Sequence, residues 1–157
     1  MLIKVEFASF AIDPGKSTPL LLLREAGGTR VLPVSIGPLE ASAIAIETLK
    51  VSPDRPLTID LVRTLMKKLG GALIRAIIVE GSPLCARLEI AAGRGVTRVD
   101  CRPCDAVALA LRCNAPLFAR EAAFRQNTAE NGPSEEEKLR AHVSGIDTLE
   151  FGTSYLE

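Results

Sequence analysis

The apolar pattern of this chain changes period at Gly37-Pro38, and that change restricts the fold class more than any other feature. Before it, residues 2–12 alternate around Ile3, Val5, Phe7 and Phe10, and Asp13-Pro14-Gly15-Lys16 supplies a turn. Residues 19–24 form a second β-like segment closed by Gly27-Gly28, and residues 30–36 a third. After it, Leu39, Ala41, Ala45, Ile46 and Leu49 recur at helical spacing, which predicts a helix over about residues 38–50. Ser52-Pro53-Asp54-Arg55-Pro56 breaks that helix, and Thr58 caps a second one with Ile59, Val62, Met66 and Leu69 apolar, stopping at Gly70-Gly71. Strands follow over 72–80, 84–91 and 96–102, separated by Gly81-Ser82-Pro83 and Gly93-Arg94-Gly95. A third helix runs from 103 to about 113 with proline first, where its missing donor does no harm, and a short strand covers 117–119. The expected fold is α+β: an antiparallel or mixed β-sheet meander packed with about three helices over residues 1–120. Residues 121–157 read as a C-terminal extension carrying a short helix over 134–143.

Composition narrows the function. With 19 basic and 19 acidic side chains the formal charge is zero, which argues against strong non-specific adhesion to nucleic acid, where phosphate neutralisation supplies most of the affinity. Five Phe, one Tyr and no Trp leave little for a base-stacking platform and force a core of Leu, Ile, Val and Ala. Lys4 and Glu6 interrupt the first apolar stretch, so no export signal is visible. No apolar run approaches the roughly 18 residues of a membrane span. The expected location is cytoplasmic, with Cys85, Cys101, Cys104 and Cys113 reduced.

The densest polar cluster is Asp100-Cys101-Arg102-Pro103-Cys104-Asp105, where a strand hands over to a helix. Alternation puts Arg98, Asp100 and Arg102 on one strand face. Close carboxylates favour a divalent cation, Mg²⁺ or Mn²⁺, held by Asp100 and Asp105, with Arg102 clamping phosphate. The plainer reading is that Asp105 favours the helix N-terminus while Arg102 pairs with Asp100. Glu40 and Glu47, seven residues apart, share a helix edge that supplies a further ligand or, more plainly, a solvated face with Lys50 as partner. Arg63, Lys67 and Lys68 on the second helix, with Arg94, Arg98 and Arg102 on the last hairpin, form a phosphate-binding surface if the fold unites them. Cys101-Arg102-Pro103-Cys104 has redox-motif spacing, but without the βαβ setting such a motif uses. His142, the only histidine, falls on the extension, so a general base in the main domain is a carboxylate, a lysine or a metal-bound hydroxide.

Three segments together resemble the bifunctional nuclease family: Val31-Leu32-Pro33-Val34-Ser35-Ile36-Gly37 with Glu40-Ala41; Arg55-Pro56-Leu57-Thr58 with Asp60-Leu61; and Asp100-Cys101-Arg102-Pro103-Cys104-Asp105-Ala106-Val107-Ala108-Leu109-Ala110. The resemblance spans residues 2–120 in order and spacing. It implies an α+β domain that assembles into homo-oligomers and a nuclease acting on DNA and RNA. It also implies functional acids at Glu40, Asp60, Asp100 and Asp105, with Arg102 as the accompanying basic residue. Ile59 stands where the family pattern has histidine, and Cys104 where it has serine. The leading expectation is metal-assisted phosphodiester hydrolysis with Asp100 and Asp105 on the ion, Glu40 orienting water, Arg102 on phosphate, and Arg98 with Arg102 touching nucleic acid. The alternative is a non-catalytic oligomeric scaffold or ligand-binding regulator on the same fold.

Overall fold

The computed structural model describes residues 1–13 and 15–130. Along the chain run β1 (Leu2–Ile12), β2 (Pro19–Glu25), β3 (Val31–Ser35), α1 (Pro38–Thr48), α2 (Thr58–Lys68), β4 (Gly71–Val79), β5 (Cys85–Ala92), β6 (Gly95–Cys101), α3 (Pro103–Cys113), β7 (Leu117–Arg120) and α4 (Glu121–Glu130). The α+β expectation holds: a mixed seven-stranded sheet packs with four helices. The predicted helix over 134–143 and His142 lie outside the described residues.

The sheet order is β3-β2-β1-β7-β4-β5-β6, which is two antiparallel meanders fused by one short strand. β7 pairs antiparallel with β1 (Ile3 opposite Ala119) and parallel with β4 (Ile78 opposite Ala119), so four residues close both halves into one surface. Both β1 and β4 carry a register shift, at Phe7/Ser9 and Leu73/Arg75. The first places Phe10 and Ala11, adjacent in sequence, both out of water, as a bulge permits.

Residues opposite each other on antiparallel strands share a face. Ala76 with Leu88 and Ile78 with Ala86 therefore define the helix-covered face of β4 and β5, while Arg75 with Glu89 and Ile77 with Arg87 define the reverse face. β6 continues both: Val99 and Cys101 on the helix side, Arg98 and Asp100 on the other. On the helix side α3 packs against α1, α2, β4 and β5. It is buried nearly all round because Cys104, Ala106, Ala108 and Ala110 are small enough to be approached from several directions, with Val107 and Leu109 filling the gaps. The main core joins these residues to Leu21, Leu23, Leu32, Ile44 and Ile78, each worth about 1.5–3 kcal/mol of apolar burial. α4 starts immediately after β7 and adds Ala123 and Phe124 to the same cluster.

The helix-stripe expectation for α1 needs correction. Ile44, outside the expected stripe, is fully buried, whereas Leu39, within it, is exposed. The helix turns Ala41, Ile44 and Ala45 inward, which brings Glu40 and Glu47 to the margins of its contact with α3. α2 has no buried residue, and its Leu61, Val62 and Leu65, with Leu69 just after it, are exposed.

Candidate functional site

Three of the four helices, α1, α2 and α3, carry an acid at their third position: Glu40, Asp60 and Asp105. A carboxylate there meets amides that lack intrahelical partners and the positive end of the helix dipole. Asp60 shows the local form of this, with Oδ2 accepting the N–H of Leu57 at 2.9 Å. That bond, more than the Arg112 guanidinium, holds its carboxyl below the usual range. In α1 and α3 the acid instead reaches outward, after a proline at the first helical position.

Those two acids meet on Arg102, the N-cap residue of α3. Arg102 Nε and Nη2 donate to the two oxygens of Asp105 at 2.8 and 3.0 Å, and Nη1 donates to Glu40 Oε1 at 2.9 Å. The Asp105 bond first, with further help from Glu40, raises the Arg102 pKa, so the guanidinium is charged at any relevant pH. Its side chain stays 64% exposed, so the cluster is open to solutes. Glu40 fits because residue 37 is glycine: a Cβ on Gly37 would fall 2.3 Å from Glu40 Oε2. The two carboxylates exceed the guanidinium by one negative charge, which two converging helix N-termini, each equivalent to about +0.5, offset. The result is a near-neutral notch with fixed donors and acceptors side by side.

The structure places the other expected residues elsewhere. β6 ends at Cys101, so strand alternation does not carry through to Arg102, which turns toward α1 while Asp100 and Arg98 stay on the reverse face. Asp100, 72% exposed, accepts from Arg87 Nε at 2.7 Å, and this bond lowers its pKa. Arg98 donates to Glu89 at 3.2 Å. Asp60 belongs to a second ion cluster, bound tightly by Arg112, which also reaches Glu47 at 3.4 Å. Sequence reasoning missed Arg112; its signal is a lone cation in the last turn of an otherwise apolar helix.

Glu47 corrects the solvated-face reading, since its side chain is only 5% exposed and its partner is Arg112. Glu47 Oε1 and Arg63 Nε are both buried without a hydrogen-bond partner among the described residues. Burial pushes the Glu47 carboxyl above its ordinary 4.5, against the pull of Arg112. A raised folded-state value means that the contribution to stability is present below the unfolded value and lost as pH rises through the folded one. At neutral pH the ionised group is therefore a net cost. Glu47→Gln keeps the shape and an acceptor for Arg112. The variant is expected to melt a few degrees above the parent at pH 7, with the advantage gone below pH 4.5, as read by circular dichroism melts. A lower melting temperature at pH 7 would contradict the assignment.

The thiols do not support redox chemistry. Burial pushes Cys101 up to about 11 and raises Cys104 as well, outweighing the helix N-terminus that would favour a thiolate. Nor do the side chains fit a resident divalent cation: Asp100 and Asp105 sit on different guanidiniums, and among the described residues no group of three or more His, Cys, Asp or Glu is placed to hold one.

A family model described as "Bifunctional nuclease domain" matches residues 21–131. Two proteins from two strains of Mycobacterium tuberculosis, both named as uncharacterised, are each 40% identical over 123 residues, covering 78% of this chain and 74% of theirs. No helix among the described residues is long and apolar enough to cross a membrane.

Proposed function

Because the chain belongs to the bifunctional nuclease domain family, we propose that it hydrolyses phosphodiester bonds of DNA and RNA where Glu40 and Asp105 converge on Arg102. That convergence across 62 residues of sequence is the observation that carries the reading. Arg102 spends one N–H from each nitrogen on the two carboxylates, which leaves the second N–H of each Nη for a non-bridging phosphate oxygen. First-turn amides of α1 and α3 add donors suited to an anion. Asp105 holds the guanidinium plane. Glu40 Oε2, which Arg102 does not engage, orients a water for in-line attack and takes its proton, a contribution of roughly 10²–10⁴-fold for a well-placed base; as the water oxygen bonds to phosphorus the opposite P–O bond breaks, and the departing sugar oxygen takes a proton from solvent.

Isoleucine stands at 59 where the family pattern has histidine, so the base assigned in this chain is a carboxylate. Asp60 and Asp100 act as positioning residues for Arg112 and Arg87, and no step is assigned to a metal. Assays in Mg²⁺, in Mn²⁺ and in chelator read directly whether either ion is required. The test is cleavage of single-stranded DNA and RNA by wild type, Asp105→Asn and Asp100→Asn. Asp105→Asn is expected to lose about tenfold or more, and Asp100→Asn to stay near wild type. Undiminished cleavage by Asp105→Asn removes it from the mechanism.

The outward leucines of α2 support the second reading, in which copies of the chain associate as an oligomeric scaffold. Purified oligomer inactive under every ion condition would favour it.

A further inference from the structure

The sheet face opposite α1 and α3 carries a cavity of about 650 Å³, lined by Arg75, Arg87, Arg98 and Arg120 with Leu2, Ile77 and Val79 among its apolar walls. That volume lies within the range of small-molecule sites and suits a ligand the size of a nucleotide. Glu80, Glu89 and Glu121 also line it, so the basic residues could simply be neutralising their neighbours. The geometry argues for more than that. Glu89, its side chain 10% exposed, lies between Arg75 Nε at 2.6 Å and Arg98 Nε at 3.2 Å, and Arg87 is held through Nε by Asp100. Each of the three guanidiniums is thus fixed at its inner nitrogen, with Nη1 and Nη2 left for something else. Arg75 is fixed a second time, its guanidinium lying 5.9 Å from the centre of the Phe118 ring. One carboxylate between two guanidiniums leaves that trio with a net positive charge.

We propose that this cavity is a phosphate-binding site for a ligand bearing two or more phosphate groups, of nucleotide size, separate from the Arg102 notch. Planar arginine forks bind tetrahedral phosphate oxygens in pairs, and several preorganised forks facing one space select a ligand with several such groups over a single carboxylate. Leu2, Ile77 and Val79 offer apolar surface to the remainder of the ligand. Arg98, expected from sequence to touch nucleic acid, is the most exposed of the three and the natural entry contact. The phosphates could belong to a free nucleotide or to a polynucleotide strand.

Calorimetric titration of the full chain with pyrophosphate, with ATP and with a single-stranded oligonucleotide lacking terminal phosphates tests this. Wild type is expected to bind ATP and pyrophosphate. Arg98→Gln and Arg87→Gln are expected to weaken that binding about tenfold or more while melting as wild type does. Binding by the oligonucleotide alone, lost in Arg98→Gln, supports the phosphate site and assigns its source to a strand. No binding by any of the three ligands, or binding by the Arg98 and Arg87 variants equal to that of wild type, overturns the proposal. None of these outcomes depends on whether the Arg102 notch cleaves anything.

Discussion

Arg102→Gln is expected to lower single-turnover cleavage of DNA and RNA by about 10²–10³-fold, the usual consequence of removing one preorganised donor from a developing oxyanion. The effect has two sources. Glutamine has no forked cationic end to offer phosphate, and it leaves Glu40 and Asp105 without the charge that gathers them. The fold should be indifferent, because Arg102 is largely exposed and exposed ion pairs add little to stability. Arg102→Lys separates the two sources. It restores a positive charge but not the planar spread that reaches Asp105 through Nε and Nη2 and Glu40 through Nη1 at once, so it is expected to recover only part of the loss. Wild-type rates in Arg102→Gln with an unchanged melting temperature would empty the notch of chemistry.

The fold was legible where local chemistry decides it. Gly81-Ser82-Pro83 and Gly93-Arg94-Gly95 mark the hairpins of β4 to β6, and Gly37-Pro38 marks the start of α1. β7 was readable as a strand, but its role as the joint between two meanders was not: four residues carry no pattern that names a parallel partner in β4 and an antiparallel one in β1. The site was legible as residue types and not as pairs. Glu40, Arg102 and Asp105 were all singled out, yet the Arg102–Glu40 bond spans 62 residues and the Arg112–Asp60 bond 52, distances over which only tertiary packing chooses partners. Asp100 misled because period-two alternation was carried one residue past the end of β6. Glu47 misled because a seven-residue spacing fixes the side of a helix but not what packs there, and α3 covers it.

Gly37 gives the central claim its most selective probe. The residue has φ −87°, open to any L-amino acid, and sits at the N-cap of α1. Alanine there is no backbone outlier and exchanges a modestly preferred cap for a poorer one. Its methyl, however, occupies the space of the Glu40 carboxylate, 2.3 Å from Oε2. A flexible side-chain end yields more easily than backbone does, so Glu40 must swing away from Arg102 while α1 keeps its packing through Ala41, Ile44 and Ala45. Arg102 and Asp105 remain paired. If Glu40 positions the attacking water, Gly37→Ala should lose most of the 10²–10⁴-fold that a positioned base supplies, with little change in melting temperature. The decisive measurement is the single-turnover cleavage rate of Gly37→Ala beside its melting curve. A rate reduced at least about tenfold on an intact fold is the predicted result, and a wild-type rate on an intact fold would contradict the assignment of the reaction to the Glu40, Arg102 and Asp105 notch.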